Sequence, residues 1–182
     1  MSAAFPGVNN SLLLVIDVQD RLMPVIHDGD KTIANIQKLI DGAAILGLDT
    51  MITEQYPKGL GNTIAELRFD EKTPVLQKNT FSCMLEQSVI TQLSIYKKEH
   101  LILCGVESHI CVLKTAIDAV SHGFTVHVVA DAVSSRSPES KQLAFDRMRQ
   151  SGVFIVSLEM ILFMLLDYAG TEEFKAISKL IK

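Results

Sequence analysis

Three residues that could do chemistry stand where short apolar runs end. Asp17 follows LLLVI, Lys78 follows VLQ, and Cys111 lies a short turn beyond LILC. A thiol attacks as its anion, so a carboxylate to accept the proton, with an ammonium and a helix N-terminus to favour the thiolate, would make Cys111 a nucleophile. Each residue also has a simpler reading. Cys111 fits as a small buried helix residue, Asp17 as a cap for the turn beginning at Asp20, and Lys78 as a solvated charge. Position separates the two readings, because catalysis requires all three on one edge of one sheet.

The rest of the chain supplies such a sheet. β-rich runs at 12–16, 49–53, 74–77, 101–104, 125–129 and 153–156 alternate with helix-periodic segments at 31–46, 85–97, 110–121 and 139–151. That alternation predicts parallel strands joined by crossover helices. Gly47, Gly123 and Gly152 close three of the helices, Ser137-Pro138 opens the fourth, and two more helices are expected at 158–166 and 171–181. The first and fourth runs are almost wholly apolar and so belong at the centre of the sheet, covered on both faces. In open parallel sheets the crevice lies beyond the carboxyl ends of the strands, which is where Asp17, Lys78 and Cys111 fall.

Composition narrows the class of protein. With 182 residues, 48% hydrophobic and 21% charged, the chain reads as one domain, residues 1–182. A formal charge of -4 without a basic-aromatic pattern argues against a nucleic-acid partner. Cys83, Cys104 and Cys111 are an odd set without C-x-x-C spacing, which points away from disulfides and towards a reducing compartment. The stretch MSAAFPGVNN has neither a secretory nor a presequence pattern, so a cytoplasmic location is expected, with mitochondrial as the alternative. The apolar stretch 160–166 is far short of the roughly 20 residues of a membrane span. No histidine pair among His27, His100, His109, His122 and His127 has metal-ligand spacing, and no metal or other cofactor is expected.

Collinear motifs then add a resemblance. Asp17-Val18-Gln19, Lys78 with Thr80-Phe81-Ser82, GVESHICVLKTAIDA at 105–119 and VVADAVSSRS at 128–137 resemble the ordered signatures of the isochorismatase-like cysteine hydrolases. TEQYPKGLG at 53–61, RMRQSG at 147–152 and FKAISKLIK at 174–182 are similar to the second type of isochorismatase domain-containing proteins. The resemblance implies an α/β fold, a three-layer α/β/α sandwich around a six-stranded parallel sheet of the Rossmann-like isochorismatase kind. It also implies Asp17 as general base, Lys78 as its electrostatic partner and Cys111 as nucleophile. A cis peptide before Glu107 and an oxyanion hole from the amides of Glu107 and Cys111 complete the implied site. The implied reaction is metal-independent hydrolysis of a C–N bond in a small molecule through a cysteine thioester.

Nicotinamidases of that superfamily carry an Asp/His/His metal site after the second strand, where this chain reads Thr53-Glu54-Gln55-Tyr56-Pro57-Lys58, without histidine. A metal-free site and a substrate other than nicotinamide are therefore expected. Gln19, Glu54, Gln55, Tyr56 and Phe81 are expected around the crevice, either touching substrate or packing and capping loops. The Glu107 carboxylate either meets a cationic substrate group or faces solvent, and Ser134-Ser135-Arg136 is expected to form a structural turn. The alternative to an enzyme is a silent binding or scaffolding module that keeps the fold. The segment LEMILFMLL is apolar on nearly all sides and fits either the core or a subunit interface. Relatives of this kind are commonly oligomeric, so light scattering at micromolar concentration is expected to show a homo-oligomer, a dimer or higher; a clean monomer counts against it.

Overall fold

A computed structural model describes residues 5–182; Met1 to Ala4, part of the stretch weighed for a leader, lie outside the described residues. Six strands form one parallel sheet: β1 (Ser11–Ile16), β2 (Asp49–Gln55), β3 (Val75–Lys78), β4 (His100–Val106), β5 (Thr125–Ser134) and β6 (Phe154–Val156). Their order is β3-β2-β1-β4-β5-β6. β1 and β4 are buried along their whole length, as their unbroken apolar character requires of central strands. The winding reverses between them, so the topological switch point lies at their carboxyl ends.

Seven α-helices accompany the sheet: α1 (Gly29–Leu46), α2 (Pro57–Leu60), α3 (Gln87–Tyr96), α4 (Leu113–Ser121), α5 (Pro138–Gln150), α6 (Leu158–Met164) and α7 (Glu172–Leu180). They fall into packed groups, α1 with α6 and α7, and α4 with α5, flanking the sheet. Helix ends follow the chemistry read from the sequence. The Ser137 hydroxyl accepts from the Ser140 N–H at 3.2 Å with Pro138 at the first position, and Gly47 takes φ 70° after α1. The inner side of α6 buries Leu158, Ile161 and Leu162, and Leu162 sits so close over Gly42 of α1 that a Cβ there would lie 2.6 Å from it. α6 is thus a core helix on one side, while Met160 and Phe163 leave an exposed apolar face on the other.

Two departures from the expected elements matter for the site. The helix expected from residue 110 starts instead at Leu113, because Ser108–Val112 form a wider π turn in which the Val112 N–H reaches the Glu107 carbonyl at 3.2 Å. β5 runs five residues beyond its expected end. It stays paired because, while β4 advances from Leu103 to Gly105, β5 advances from Val128 to Val133. The extra residues project Asp131, whose carboxylate accepts from the Leu158 N–H at 2.7 Å and so holds the start of α6. This bulge carries Ser134 alongside Val106, at the same sheet edge as the cysteine turn.

At the other end of β4 the structure forms a pair that spacing did not reveal. His100 and His127 are both buried, with Nδ1 of the first 3.2 Å from Nε2 of the second, and His127 also stacks on Phe154. Among the described residues the His127 Nδ1 has no hydrogen-bond partner. Burial, reinforced by His100, pushes His127 down to about 4, and burial lowers His100 too.

Two predictions follow from this packing. Gly105 has φ 109°, and a Cβ on it would lie 2.0 Å from the Ile16 carbonyl oxygen across the β1–β4 pairing. Gly105→Ala is therefore expected to cost at least about 3 kcal/mol in urea unfolding. Below the ordinary histidine value of 6.5 the unfolded chain takes up protons that the fold excludes. The histidine contribution is then complete above that pH and is lost as pH falls towards about 4, by on the order of 2–3 kcal/mol. Tm measured across that window is expected to fall less steeply in His127→Phe.

Candidate active site

The switch point gathers side chains from four segments. Asp17 follows β1 directly in a left-handed conformation, φ 54°, pinned by its N–H to the Thr53 carbonyl at 3.0 Å. Such a conformation is uncommon for a residue with a Cβ and turns the carboxylate back under the strand ends. There Asp17 Oδ2 meets Lys78 Nζ at 2.7 Å, and Oδ1 accepts from the Thr53 hydroxyl at 2.9 Å. The Cys111 thiol lies close enough for the Asp17 carboxylate to act on it. The Asp17 and Lys78 side chains are 0% exposed, and Cys111 is 6% exposed. The solvated surface lysine weighed as the simpler reading is absent; the ammonium lies inside the molecule.

A buried ammonium needs all three N–H donors satisfied, and Lys78 has Asp17, the Gln55 Oε1 at 2.6 Å and the Thr80 carbonyl at 3.2 Å. Burial works against its charge, but Asp17, followed by the thiols of Cys83 and Cys111, more than offsets this, and Lys78 stays above its ordinary range. Burial raises Asp17 above the ordinary carboxylate value of 3.8 despite the opposing pull of Lys78, which makes it a stronger base. Burial, then the Asp17 carboxylate, also hold the Cys111 thiol above its ordinary range. The sulfur therefore rests protonated, contrary to the ionised thiol expected from sequence. The reason is that burial disfavours the thiolate, and the neighbouring Asp17 charge disfavours it further.

The remaining expected residues divide. Gln19 is 0% exposed, its Oε1 accepting from the Gln55 N–H at 2.7 Å and its Nε2 donating to the carbonyls of Gln55 and Gly61. Glu54 is buried, and one oxygen takes both the N–H and the hydroxyl of Thr63. These two side chains thereby tie the loop in place. Gln55 is committed to Lys78 and, through Nε2, to the Asn79 carbonyl. Tyr56 and Phe81 remain over half exposed, and Lys114 Nζ lies 5.9 Å from the Phe81 ring centroid. A cleft of about 320 Å³ runs past Tyr56, Lys58, Lys78 and Glu86 on the β3 side, but Cys111 does not line it.

The Val106–Glu107 peptide is cis, and Glu107 caps the turn that carries Cys111. Its carboxylate is held by Arg136 Nε at 2.9 Å, so Ser134-Ser135-Arg136 is more than a turn. Reading the residues one by one missed three neighbours: Thr53, Arg136 and the wholly buried Cys83, whose thiol burial pushes up to about 11. Cys83 Sγ lies 3.9 Å from the Thr53 hydroxyl, and its N–H donates to Thr115 one turn past Cys111. Thr53 was within reach of the strand-end rule, since it pairs with Ile16 next to Asp17.

Comparison with known proteins accords with this fold. A family model described as "Isochorismatase domain" matches residues 11–160. Isochorismatase domain-containing protein 2 of Danio rerio is 40% identical over 96% of this chain and 88% of its own length. The structure described as MAR1 ribonuclease from Caenorhabditis elegans superposes with TM-score 0.91 at 38% identity, covering 97% of this chain and 92% of that one. The YcaC gene product of Escherichia coli, described as an octameric hydrolase of unknown specificity, matches with TM-score 0.86 at 25% identity over 91% of this chain and 83% of its own. With a match that runs from the first strand into α6 and a relative alike along almost the whole chain, this protein belongs to the isochorismatase family of hydrolases.

Proposed function

We propose that the protein is a metal-independent cysteine hydrolase that cleaves a C–N bond of a small molecule. The observation that carries this reading is a Cys111 thiol under the influence of a nearby carboxylate that is itself ion-paired with a buried ammonium. As the sulfur attacks a carboxamide carbon, Asp17 takes the thiol proton, and the new C–S bond leaves negative charge on the carbonyl oxygen. The amides of Glu107 and Cys111 receive that charge in this reading, a contribution of about 2.7–4 kcal/mol for each oxyanion donor. Asp17 then protonates the departing nitrogen, ammonia or an amine leaves, and a thioester remains. Water, deprotonated by Asp17, hydrolyses the thioester, and the carboxylic product and the free thiol are restored.

The thiol need not be ionised at rest, because a base more basic than an ordinary carboxylate already lies near it. Lys78 keeps Asp17 charged and aimed. No metal takes part in this reading, in which Oδ2 of Asp17 is already taken by the ammonium. The octameric relative supports a homo-oligomer here, with the exposed Tyr56, Phe81 and Leu85 available to a neighbouring copy. A second reading, cleavage of RNA, is favoured by the 38% identical relative described as a ribonuclease, while the acidic balance of the chain works against it. A silent binding module would not require three coordinated ionisable groups in its interior.

Ammonia release from a panel of small carboxamides is the direct test. Cys111→Ala is expected to keep its circular dichroism spectrum and lose about 10⁴-fold or more in kcat, with the thioester mass seen only in the wild type. Cys111→Ala with undiminished turnover removes the nucleophile, and RNA cleavage that survives purification and depends on Cys111 selects the second reading. The acid limb of kcat/KM is expected above pH 3.8, since activity is lost as Asp17 protonates with falling pH.

A further inference from the structure

Lys78 can act on Asp17 only while its ammonium is held in one place, and Asp17 alone does not fix it there. A single ion pair leaves two N–H groups free to turn, in a region where neither side chain meets water. Gln55 Oε1 receives one of them at 2.6 Å. An amide can present its oxygen or its NH₂, and only the oxygen serves an ammonium. The orientation is settled by the rest of the amide: Nε2 donates to the Asn79 carbonyl at 3.0 Å, which the oxygen could not do.

The backbone of Gln55 is fixed in turn. Gln19 accepts from its N–H and donates to its carbonyl, closing a two-bond clamp on one residue of an edge-side strand. The second Nε2 bond of Gln19, to Gly61, ties down the far end of the same loop. A chain of buried hydrogen bonds therefore runs from Gln19 through Gln55 and Lys78 to Asp17, using residues from β2, the end of β3 and both sides of the first strand's exit.

We propose that Gln55, clamped by Gln19, is a positioning residue for the reaction: it holds the Lys78 ammonium charged and directed at Asp17 without touching substrate. This inference rests on the cysteine-hydrolase reading for its kinetic part. The titratable groups facing the ammonium are Asp17 from the end of β1, Cys83 from the turn before α3 and Cys111 from the turn before α4, and all of them favour its charge. Gln55 and the Thr80 carbonyl are the neutral members of the shell, so removing the Gln55 amide changes solvation of the ammonium without adding or deleting a charge. An ammonium left with an unmet N–H gives up its proton more readily.

The test compares wild type with Gln55→Leu in two ways. In protein labelled with ¹⁵N at lysine, the Lys78 ammonium of the wild type is expected to show a slowly exchanging Nζ signal and to titrate above 10.5. In Gln55→Leu its titration, and the basic limb of kcat/KM with it, is expected to fall by about one to two pH units. kcat is expected to fall about 10-fold while KM changes by less than about twofold. A loss confined to KM would show that Gln55 contacts substrate and would overturn the proposal, as would a Lys78 titration unmoved by the substitution. Should the variant not fold, a rapidly exchanging Lys78 signal in the wild type overturns it equally. The magnetic-resonance arm needs no turnover, so Cys111-independent hydrolysis would remove the cysteine-hydrolase reading while leaving the placement of Lys78 to be judged by its own signal.

Discussion

A carboxylate and an ammonium 2.7 Å apart, neither reached by water, set the terms for everything around them. Removing two charges from water costs several kcal/mol each, and their mutual attraction restores this only when the remaining lone pairs and protons are also met. The architecture answers that demand point by point. Thr53 at the end of β2 serves the second Asp17 oxygen, and Gln55 and the Thr80 carbonyl serve the remaining Lys78 protons. The Cys111 thiol lies within the influence of the same carboxylate, so it shares the surroundings that stabilise the ion pair.

The sheet brings these contributors together because its winding reverses beside them. Asp17 directly follows β1 and Glu107 directly follows β4, so the two central strands deliver the carboxylate and the cysteine turn to adjacent positions. Their close pairing depends on Gly105, where the backbone of β4 passes the Ile16 carbonyl with no room for a side chain. β5 reaches the same level only through its added residues, and it brings Arg136 to the Glu107 carboxylate. Central scaffold and peripheral bulge thus have different work: the first sets the ionisable groups, the second braces the turn that holds one of them.

The elements were legible in the sequence wherever a single periodicity governed them. Strands β1 and β4 announced themselves by unbroken apolar character, and Ser137-Pro138 marked the start of α5. Asp17, Lys78 and Cys111 could be placed on one edge because strand ends are countable. What remained hidden depends on directions that spacing does not encode. The inward turn of Lys78 and the union of Gln55 with it arise from the pairing of β2 with β3, in which Gln55 lies opposite Lys78. His100 and His127 meet because β4 and β5 are neighbours, although 27 residues separate them in the chain. The protonated sulfur was misjudged because the burial of the cysteine turn, which raises the thiol, is a tertiary fact that spacing does not encode.

The segment between Gln55 and Gly61 leaves the sheet and returns within reach of one glutamine amide, which grips the carbonyl at both of its ends. Since those grips are made to main chain, the identity of the residues at the tip, from Tyr56 to Leu60, is largely independent of the anchorage. The excursion behaves as a cartridge seated in a fixed socket. Tips of different shape can be exchanged there during divergence or by grafting, which would recontour the approach to the crevice while the ionic interior beneath stays unaltered.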